Sequence, residues 1–494
     1  MNIMYQSTRS DSEAIPASLA ILKGLADDGG LYVPTFIPRL DKSLKELTEL
    51  SYTEIAYEVM KLFYTDFTEE ELKDCINKAY DEKFDTKEIA PLVKADGAYY
   101  LELFHGQTIA FKDMALSILP HLLTTSAKKN NVKEEIVILT ATSGDTGKAA
   151  LAGFSDVPGT KIIVFYPKDG VSLIQEKQMV TQTGDNTYVV AIEGNFDDAQ
   201  TGVKNIFNNR ELNQNLKDRG YLFSSANSIN IGRLVPQIVY YVYSYANLLK
   251  NEEIADGEKI NVVVPTGNFG NILAAFYAKN MGVPINKLIC ASNDNKVLFD
   301  FFTSGVYNRN REFLLTTSPS MDILISSNLE RLIYEIVCKD GKATLELMES
   351  LNKTGQYEIT SIMKKNLEDF ISGYATEEQT ANQIKMLYEG TGYVIDTHTA
   401  VAASVYANYI KSSNDETKTI IASTASPYKF TKSVMSAIDK KYDDVNELDL
   451  IEELSLLSKT DIPKAIEDIR SAKVLHSRVC KKDNMEEMVL NILK

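Results

Sequence analysis

The chain has 494 residues, 44% of them hydrophobic and 24% charged, the balance of a soluble globular protein with room for roughly two to four domains and a large core. Sixty-eight acidic residues against 52 basic ones give a formal net charge of -16, which argues against the basic face that nucleic acid or an anionic membrane surface requires. An anionic ligand must then be held by local devices, such as helix N-termini and a few fixed cations, against the overall field.

The cysteines (Cys75, Cys290, Cys338, Cys480) are scattered with no CxxC pair, and the histidines (His105, His121, His398, His476) form no HExxH pattern. Neither a disulfide framework nor a zinc site is indicated, and no metal-ligand residues are assigned. The opening MNIMYQSTRSDSE has no basic start followed by an apolar run, and no window approaches the ~20 apolar residues of a membrane span. The expectation is a soluble cytoplasmic enzyme of metabolism acting on a small molecule.

In chain order, residues 1–95 read as a mainly helical domain. Apolar residues at helical spacing over 11–25 end at Asp27-Asp28-Gly29-Gly30, a turn into the short strand 31–33 before Pro34. Helices follow over 53–64 and 68–80, the second with the capping pattern of Thr68 and Glu71. From Ala98 the pattern becomes strand and helix in alternation. The runs 135–141, 161–166, 187–192 and 259–264 are apolar on both faces, and helical segments over 146–154, 173–183 and 196–208 separate them. This is the signature of βαβ units and a buried parallel sheet, in which ligands sit beyond the C-terminal strand ends. A charged segment over 304–378 reads as helical decoration, the run 419–422 as a last strand, and 441–494 as an acidic helical tail. The domains are thus 1–95, an α/β region over 96–440 with a smaller subdomain at about 125–235, and the tail.

Three turns lie at strand ends. Thr142-Ser143-Gly144-Asp145-Thr146-Gly147 follows the first strand; small residues let the backbone approach a ligand, although a plain strand-to-helix turn has the same composition. Gly147-Lys148 resembles part of a phosphate-binding P-loop, but that spacing needs Gly at 142 and Ser or Thr at 149, where the chain has Thr142 and Ala149. Pro265-Thr266-Gly267-Asn268-Phe269-Gly270-Asn271 exposes successive N–H groups and carries no charge to compete with a phosphate. In Ser423-Thr424-Ala425-Ser426-Pro427 a hydroxyl serves either a ring nitrogen or the cap of the next helix.

Upstream, LELFHGQTIAFKD leads from a strand into an apolar helical run and contains Lys112 at the junction. Taken alone, such a lysine is simply solvated. Combined with phosphate-cradling turns it suggests pyridoxal phosphate (PLP), whose Schiff-base lysine must lose its proton; apolar neighbours such as Phe104, Ile109 and Phe111 would lower its pKa.

LELFHGQTIAFKD, ATSGDTGKAA, SANSINIGRLVPQ, VPTGNFGNIL and STASPYKF, in that order, resemble the threonine synthase family, and the opening STRS…LAILKGLADDGGLYVP resembles its N-terminal domain. The likeness spans roughly residues 5–440. It implies a fold-type II PLP enzyme, tryptophan synthase β-like, with parallel-sheet domains and an N-terminal helical domain. It implies the conversion of O-phospho-L-homoserine and water to L-threonine and phosphate, by γ-elimination and β-replacement. Carried over, Lys112 binds the cofactor covalently and moves protons. Gly267, Asn268, Phe269, Gly270 and Asn271 hold its phosphate, Thr424 faces its ring nitrogen and Asp145 lies near its O3′. Ser143 and Thr146 take the substrate carboxylate. Lys177 and Arg233 are candidates for the substrate phosphate, with Asn227, Ser228 and Asn230 as neutral donors; helix-surface ion pairs are the alternative for the two cations. His105 is either a ligand contact or structural. The chain departs from the family's pattern at Gln107, where Pro is usual, and at Ser426-Pro427, where His-Pro is common. Rival functions are a PLP-dependent serine/threonine dehydratase or phospholyase, and a catalytically silent relative that only binds. The resemblance also implies a monomer rather than a homodimer.

Overall fold

The computed structural model describes residues 2–142, 144–168 and 170–494. The apolar runs form strands, and among the described residues they sort into two large sheets. The six-stranded sheet has the order Phe370–Tyr374, Ile285–Ser292, Ile260–Pro265, Thr419–Ser423, Ala98–Glu102, Leu92–Ala95. Every neighbouring pair in it is parallel except the last, an antiparallel hairpin. Asp96 and Gly97 turn that hairpin with φ of 45° and 76°, the left-handed pair that a two-residue turn demands and that an Asp-Gly step supplies. The five-stranded sheet is parallel throughout, in the order Arg478–Lys481, Thr187–Glu193, Thr160–Pro167, Glu135–Ala141, Tyr221–Ser224. Strands covered on both faces need apolar residues at every position, and Ile260–Pro265 is buried from end to end.

The N-terminal helices Tyr52–Phe63 and Glu69–Ala79 begin at capping boxes made by Ser51 with Glu54 and by Thr68 with Glu71. Between this layer and the larger sheet runs Ile231–Lys250, a helix buried along most of its length, polar residues such as Arg233 and Gln237 included. It packs against both Tyr52–Phe63 and the helix Gly270–Met281. Its N-terminus therefore enters the middle of the molecule, not the surface. Among the described residues no helix is long and apolar enough to cross a membrane.

Two expectations change. The segment 304–378 is more than helical decoration: it supplies the edge strand Phe370–Tyr374, and its loops reach the centre of the molecule. The tail 441–494 is not wholly helical, since Arg478–Lys481 pairs in parallel with Thr187–Glu193. Only Cys480 of that strand is buried, so the sequence RVCK carries no apolar alternation and the waiting sheet edge defines it.

Candidate active site

The C-terminal strand ends of both sheets meet at Lys112. After the strand Ala98–Glu102 the chain turns back, and residues 109–111 lie antiparallel to the turn that follows Thr419–Ser423. The Phe111 N–H donates to the Thr424 carbonyl at 2.8 Å, and the Ser426 N–H donates to the Ile109 carbonyl at 3.0 Å. Lys112 then stands at the head of the short helix Asp113–Leu116. The buried Asp113 carboxylate locks this entry, accepting from the Thr108 N–H at 2.7 Å and the Thr108 hydroxyl at 2.6 Å.

Burial is the largest influence on Lys112 and lowers its pKa to about 8; Asp145 opposes this, while Lys429 and Arg233 reinforce it. The lysine Nζ donates to Ser320 Oγ at 3.0 Å and lies 3.7 Å from Asp145 Oδ2. Asp145 opens the helix Asp145–Phe154 at the end of the strand Glu135–Ala141. Thr142 Oγ1 shapes the turn by accepting from the N–H groups of Gly144 and Gly147, both at 2.9 Å. Gly144 has φ 135°, a conformation that side-chain-bearing residues avoid.

The Asp145 carboxylate is fully engaged. Gln175 Nε2 donates to Oδ1 at 2.9 Å, Ser320 Oγ donates to Oδ2 at 3.0 Å, and Lys429 Nζ lies 3.2 Å from Oδ1. Burial would raise the Asp145 pKa, but Lys429 and then Lys112 hold it well below the usual carboxylate range. Lys429 has no exposed surface; it also donates to the Thr108 carbonyl at 2.8 Å and to Gln178 Oε1 at 3.4 Å.

The turn after Ile260–Pro265 runs into the helix Gly270–Met281. A Cβ on Gly267 would lie 2.5 Å from the Ser320 carbonyl oxygen, so only glycine permits the two loops to pack. Phe269 has φ 65° and is buried beside Phe302 and Phe370 at ring distances of 6.0 Å, packing that holds a non-glycine residue in the left-handed region. Asn268 is linked to the segment beyond 304: its carbonyl accepts from both the N–H and the Nδ2 of Asn328 at 3.0 Å. Asn271 Oδ1 takes the hydroxyls of Tyr240 and Tyr241, while its buried Nδ2 donates to nothing among the described residues. Thr424 is buried, and its N–H donates to Thr399 Oγ1 at 3.3 Å.

Arg233 lies in the first turn of Ile231–Lys250, where Nη1 donates to the Ala226 carbonyl at 3.0 Å. Among the described residues its buried Nε has no acceptor and the guanidinium forms no ion pair. Burial alone lowers its pKa to about 10. The remaining expected donors divide. Thr146 is half-buried in the first turn of its helix, Asn227 is exposed, and the half-buried Ser228 accepts from Asn328 Nδ2 at 3.3 Å. Ser143 lies outside the described residues.

Two expected substrate contacts are corrected. Asn230 caps Ile231–Lys250: its Oδ1 accepts from the Gly232 N–H at 2.9 Å and its Nδ2 donates to the Ile21 carbonyl at 2.9 Å, so its amide serves the fold. Lys177 follows Gln175 and precedes Gln178, which both face the cluster. At about 100° per residue this turns Lys177 aside, into a cavity lined by Lys168, Glu176 and the C-terminal His476 and Arg478. His105 is held between two carboxylates. Its Nδ1 meets Asp85 Oδ1 at 2.6 Å and its Nε2 meets Glu102 Oε2 at 2.9 Å; burial would lower its pKa, but the two carboxylates raise it to about 9. Ser320, Lys429, Gln175, Gln178 and His398 were not expected. Of these only Lys429 stood inside a motif, STASPYKF, where its apolar neighbours were a signal of burial.

The group fits pyridoxal phosphate on chemical grounds. It offers a buried lysine with a lowered pKa, and an uncharged helix N-terminus that backbone can approach and where Asn271 Nδ2 is left without an acceptor. Family models match over almost the whole chain: "Threonine synthase N terminus" at residues 4–80, "Pyridoxal-phosphate dependent enzyme" at 86–424 and "Threonine synthase, C-terminal" at 399–479. Threonine synthase-like 1 of Homo sapiens is 38% identical over 97% of this chain, which spans 65% of that longer protein. Threonine synthase of Saccharomyces cerevisiae is 36% identical over 92% of this chain and 93% of its own. Among solved structures, threonine synthase from yeast superposes with a TM-score of 0.89 at 33% identity, covering 99% of this chain and 98% of that one. PLP-bound threonine synthase from Brucella melitensis gives a TM-score of 0.88 at 34% identity, with 99% of each chain covered.

Proposed function

The chain belongs to the threonine synthase family of pyridoxal-phosphate-dependent enzymes, and on that premise we propose that it converts O-phospho-L-homoserine and water to L-threonine and phosphate. Arg233 is the observation that carries this reading. A guanidinium buried without a carboxylate is costly unless a ligand anion completes it, and Arg233 is close enough to Lys112 to act on its charge. A phosphorylated substrate brings that anion; the net charge of -16 elsewhere makes a dedicated cation necessary.

When bound, the cofactor supplies an electron sink for carbanionic charge next to the substrate amine. Lys112 would anchor it, and the Lys112 Nζ would move protons at Cα, Cβ and Cγ of the substrate as phosphate leaves Cγ and water adds at Cβ. The N–H groups of residues 267–271 and Asn271 Nδ2 hold the cofactor phosphate. Thr424 would serve the ring nitrogen as a neutral partner, and Asp145 would serve the ring oxygen O3′. Thr146 and the neighbouring turn receive the substrate carboxylate, and Ser228 and Asn227 border the substrate phosphate.

The test supplies O-phospho-L-homoserine and measures L-threonine, phosphate and 2-oxobutanoate together. Threonine and phosphate in equal amounts are expected, and Arg233→Ala should raise KM at least about tenfold. Phosphate with 2-oxobutanoate and no threonine would instead identify a dehydratase or phospholyase.

A further inference from the structure

We propose that Ser320 is a catalytic residue whose hydroxyl holds the amine of Lys112 apart from Asp145 and aims it at the substrate, and that His398 and Asp396 position it. This rests on the reading of Lys112 as the proton carrier. The serine sits between the two charged groups, accepting from Lys112 Nζ at 3.0 Å and donating to Asp145 Oδ2 at 3.0 Å, while Nζ and Oδ2 are 3.7 Å apart. A hydroxyl has one proton, and Asp145 takes it, so only lone pairs face the lysine. Ser320 therefore engages an N–H of Lys112 and leaves the nitrogen lone pair of the free amine to point elsewhere. Without the hydroxyl, Nζ would close on Asp145 as a direct ion pair, which favours the charged ammonium and removes the base. Asp145, Lys429 and Arg233 are the charged groups acting on this amine, and Ser320 changes the balance among them.

Ser320 lies in the single 3-10 turn Pro319–Met321, outside the strands and long helices, so its position must be imposed. Its N–H donates to His398 Nε2 at 3.1 Å, and His398 Nδ1 lies 2.7 Å from Asp396 Oδ2. A backbone N–H can only donate, so Nε2 is the acceptor and Nδ1 carries the proton to Asp396, which fixes the tautomer. Asp396 is fully buried at the N-cap of Thr397–Ser413, where it also receives the N–H groups of His398 and Thr399 at 2.9 and 3.0 Å. A second tie, from Thr397 Oγ1 to the Thr317 carbonyl at 2.7 Å, secures the same segment. Asp322 knots it from the other side, accepting from Thr316, Asn293 and Asn295.

The experiment uses the full chain as Ser320→Ala, His398→Leu and His398→Gln, in which the glutamine oxygen can replace Nε2 as acceptor. Two readouts are taken: the pH profile for capture of pyridoxal phosphate by the apoprotein, followed by its visible band, and kcat and KM for O-phospho-L-homoserine. Ser320→Ala should move the capture inflection upward by about one pH unit and lower kcat about tenfold to a hundredfold, with KM changed less than about threefold. His398→Leu should reproduce this pattern, and His398→Gln should restore most of the wild-type behaviour. An unshifted profile and unchanged kcat in Ser320→Ala, or equal impairment of the two His398 variants, would overturn the inference while wild-type activity stands. Failure of the wild-type protein to capture the cofactor would instead overturn the reading of Lys112 itself.

Discussion

Lys112 carries conflicting influences, and the balance among them is chemically useful. Desolvation and two nearby cations favour its neutral amine, while Asp145, kept ionised by Lys429, favours the ammonium. A lysine pKa lowered to about 8 gives a definite pH dependence. The free amine rises from about one tenth at pH 7 to about nine tenths at pH 9, so capture of pyridoxal phosphate by the apoprotein should speed up through pH 8 and level off above it. Stopped-flow absorbance of the visible band measures this; a rate still climbing between pH 9.5 and 10.5 would mean an unperturbed lysine. The lysine was legible only through the strand-end turns and the order of the motifs, since taken alone it reads as solvated. Ser320 was not legible. Its neighbours Pro319, Met321 and Asp322 form no recognisable motif, and its contact with Lys112 spans 208 positions in the chain.

At the scale of elements, the turn at 142–147 is shaped by its own Thr142, while the other two strand-end turns are shaped by partners that their own sequences do not name. The turn at 265–271 is set by the loop carrying Ser320 and by Asn328, and the turn at 423–427 by residues 109–111 and Thr399. Gly267→Ala places a methyl group 2.5 Å from the Ser320 carbonyl, a backbone atom that cannot swing aside, whereas at Gly270 the nearest atom is a flexible amide nitrogen 3.6 Å away. Gly267→Ala should therefore weaken cofactor affinity at least tenfold, about 1.4 kcal/mol, and Gly270→Ala should stay within about threefold. Fluorescence titration of each apoprotein with pyridoxal phosphate distinguishes the two. The helix Leu173–Val180 was legible as a helical segment between two apolar runs, yet which face it turns to the site was not. Gln175 and Gln178, not Lys177, meet the charged cluster, because the helix is rotated by its packing and polarity alone does not set that rotation.

For the whole molecule, the segment beyond 304 is the tie between the N-terminal layer and the site. Glu330 takes Thr8 Oγ1 at 2.6 Å and Arg9 Nη2 at 2.7 Å. The fully buried Arg331 donates to the Tyr32 carbonyl at 3.0 Å, to the Ile229 carbonyl at 2.6 Å and to Asn328 Oδ1. Arg331→Met would leave these buried acceptors without donors and should cost about 3 kcal/mol, read as a lower urea midpoint. Loss of activity before global unfolding is also expected, since Ile229 and Asn328 border the turns of the site. The amino-acid sequence by itself determined the alternation of strands and helices, the capped helices of the N-terminal layer, the turns at strand ends and the motif that carries Lys112. These depend on periodicity, turn chemistry and motif order within a dozen residues. The tertiary structure decided the depth of Lys429, the reach of Ser320, the unpaired state of Arg233, the commitment of Asn230 to a cap and the strand at Arg478–Lys481. Each depends on contacts between distant parts of the chain, where burial, charge balance and a free sheet edge exist only after the two sheets have come together.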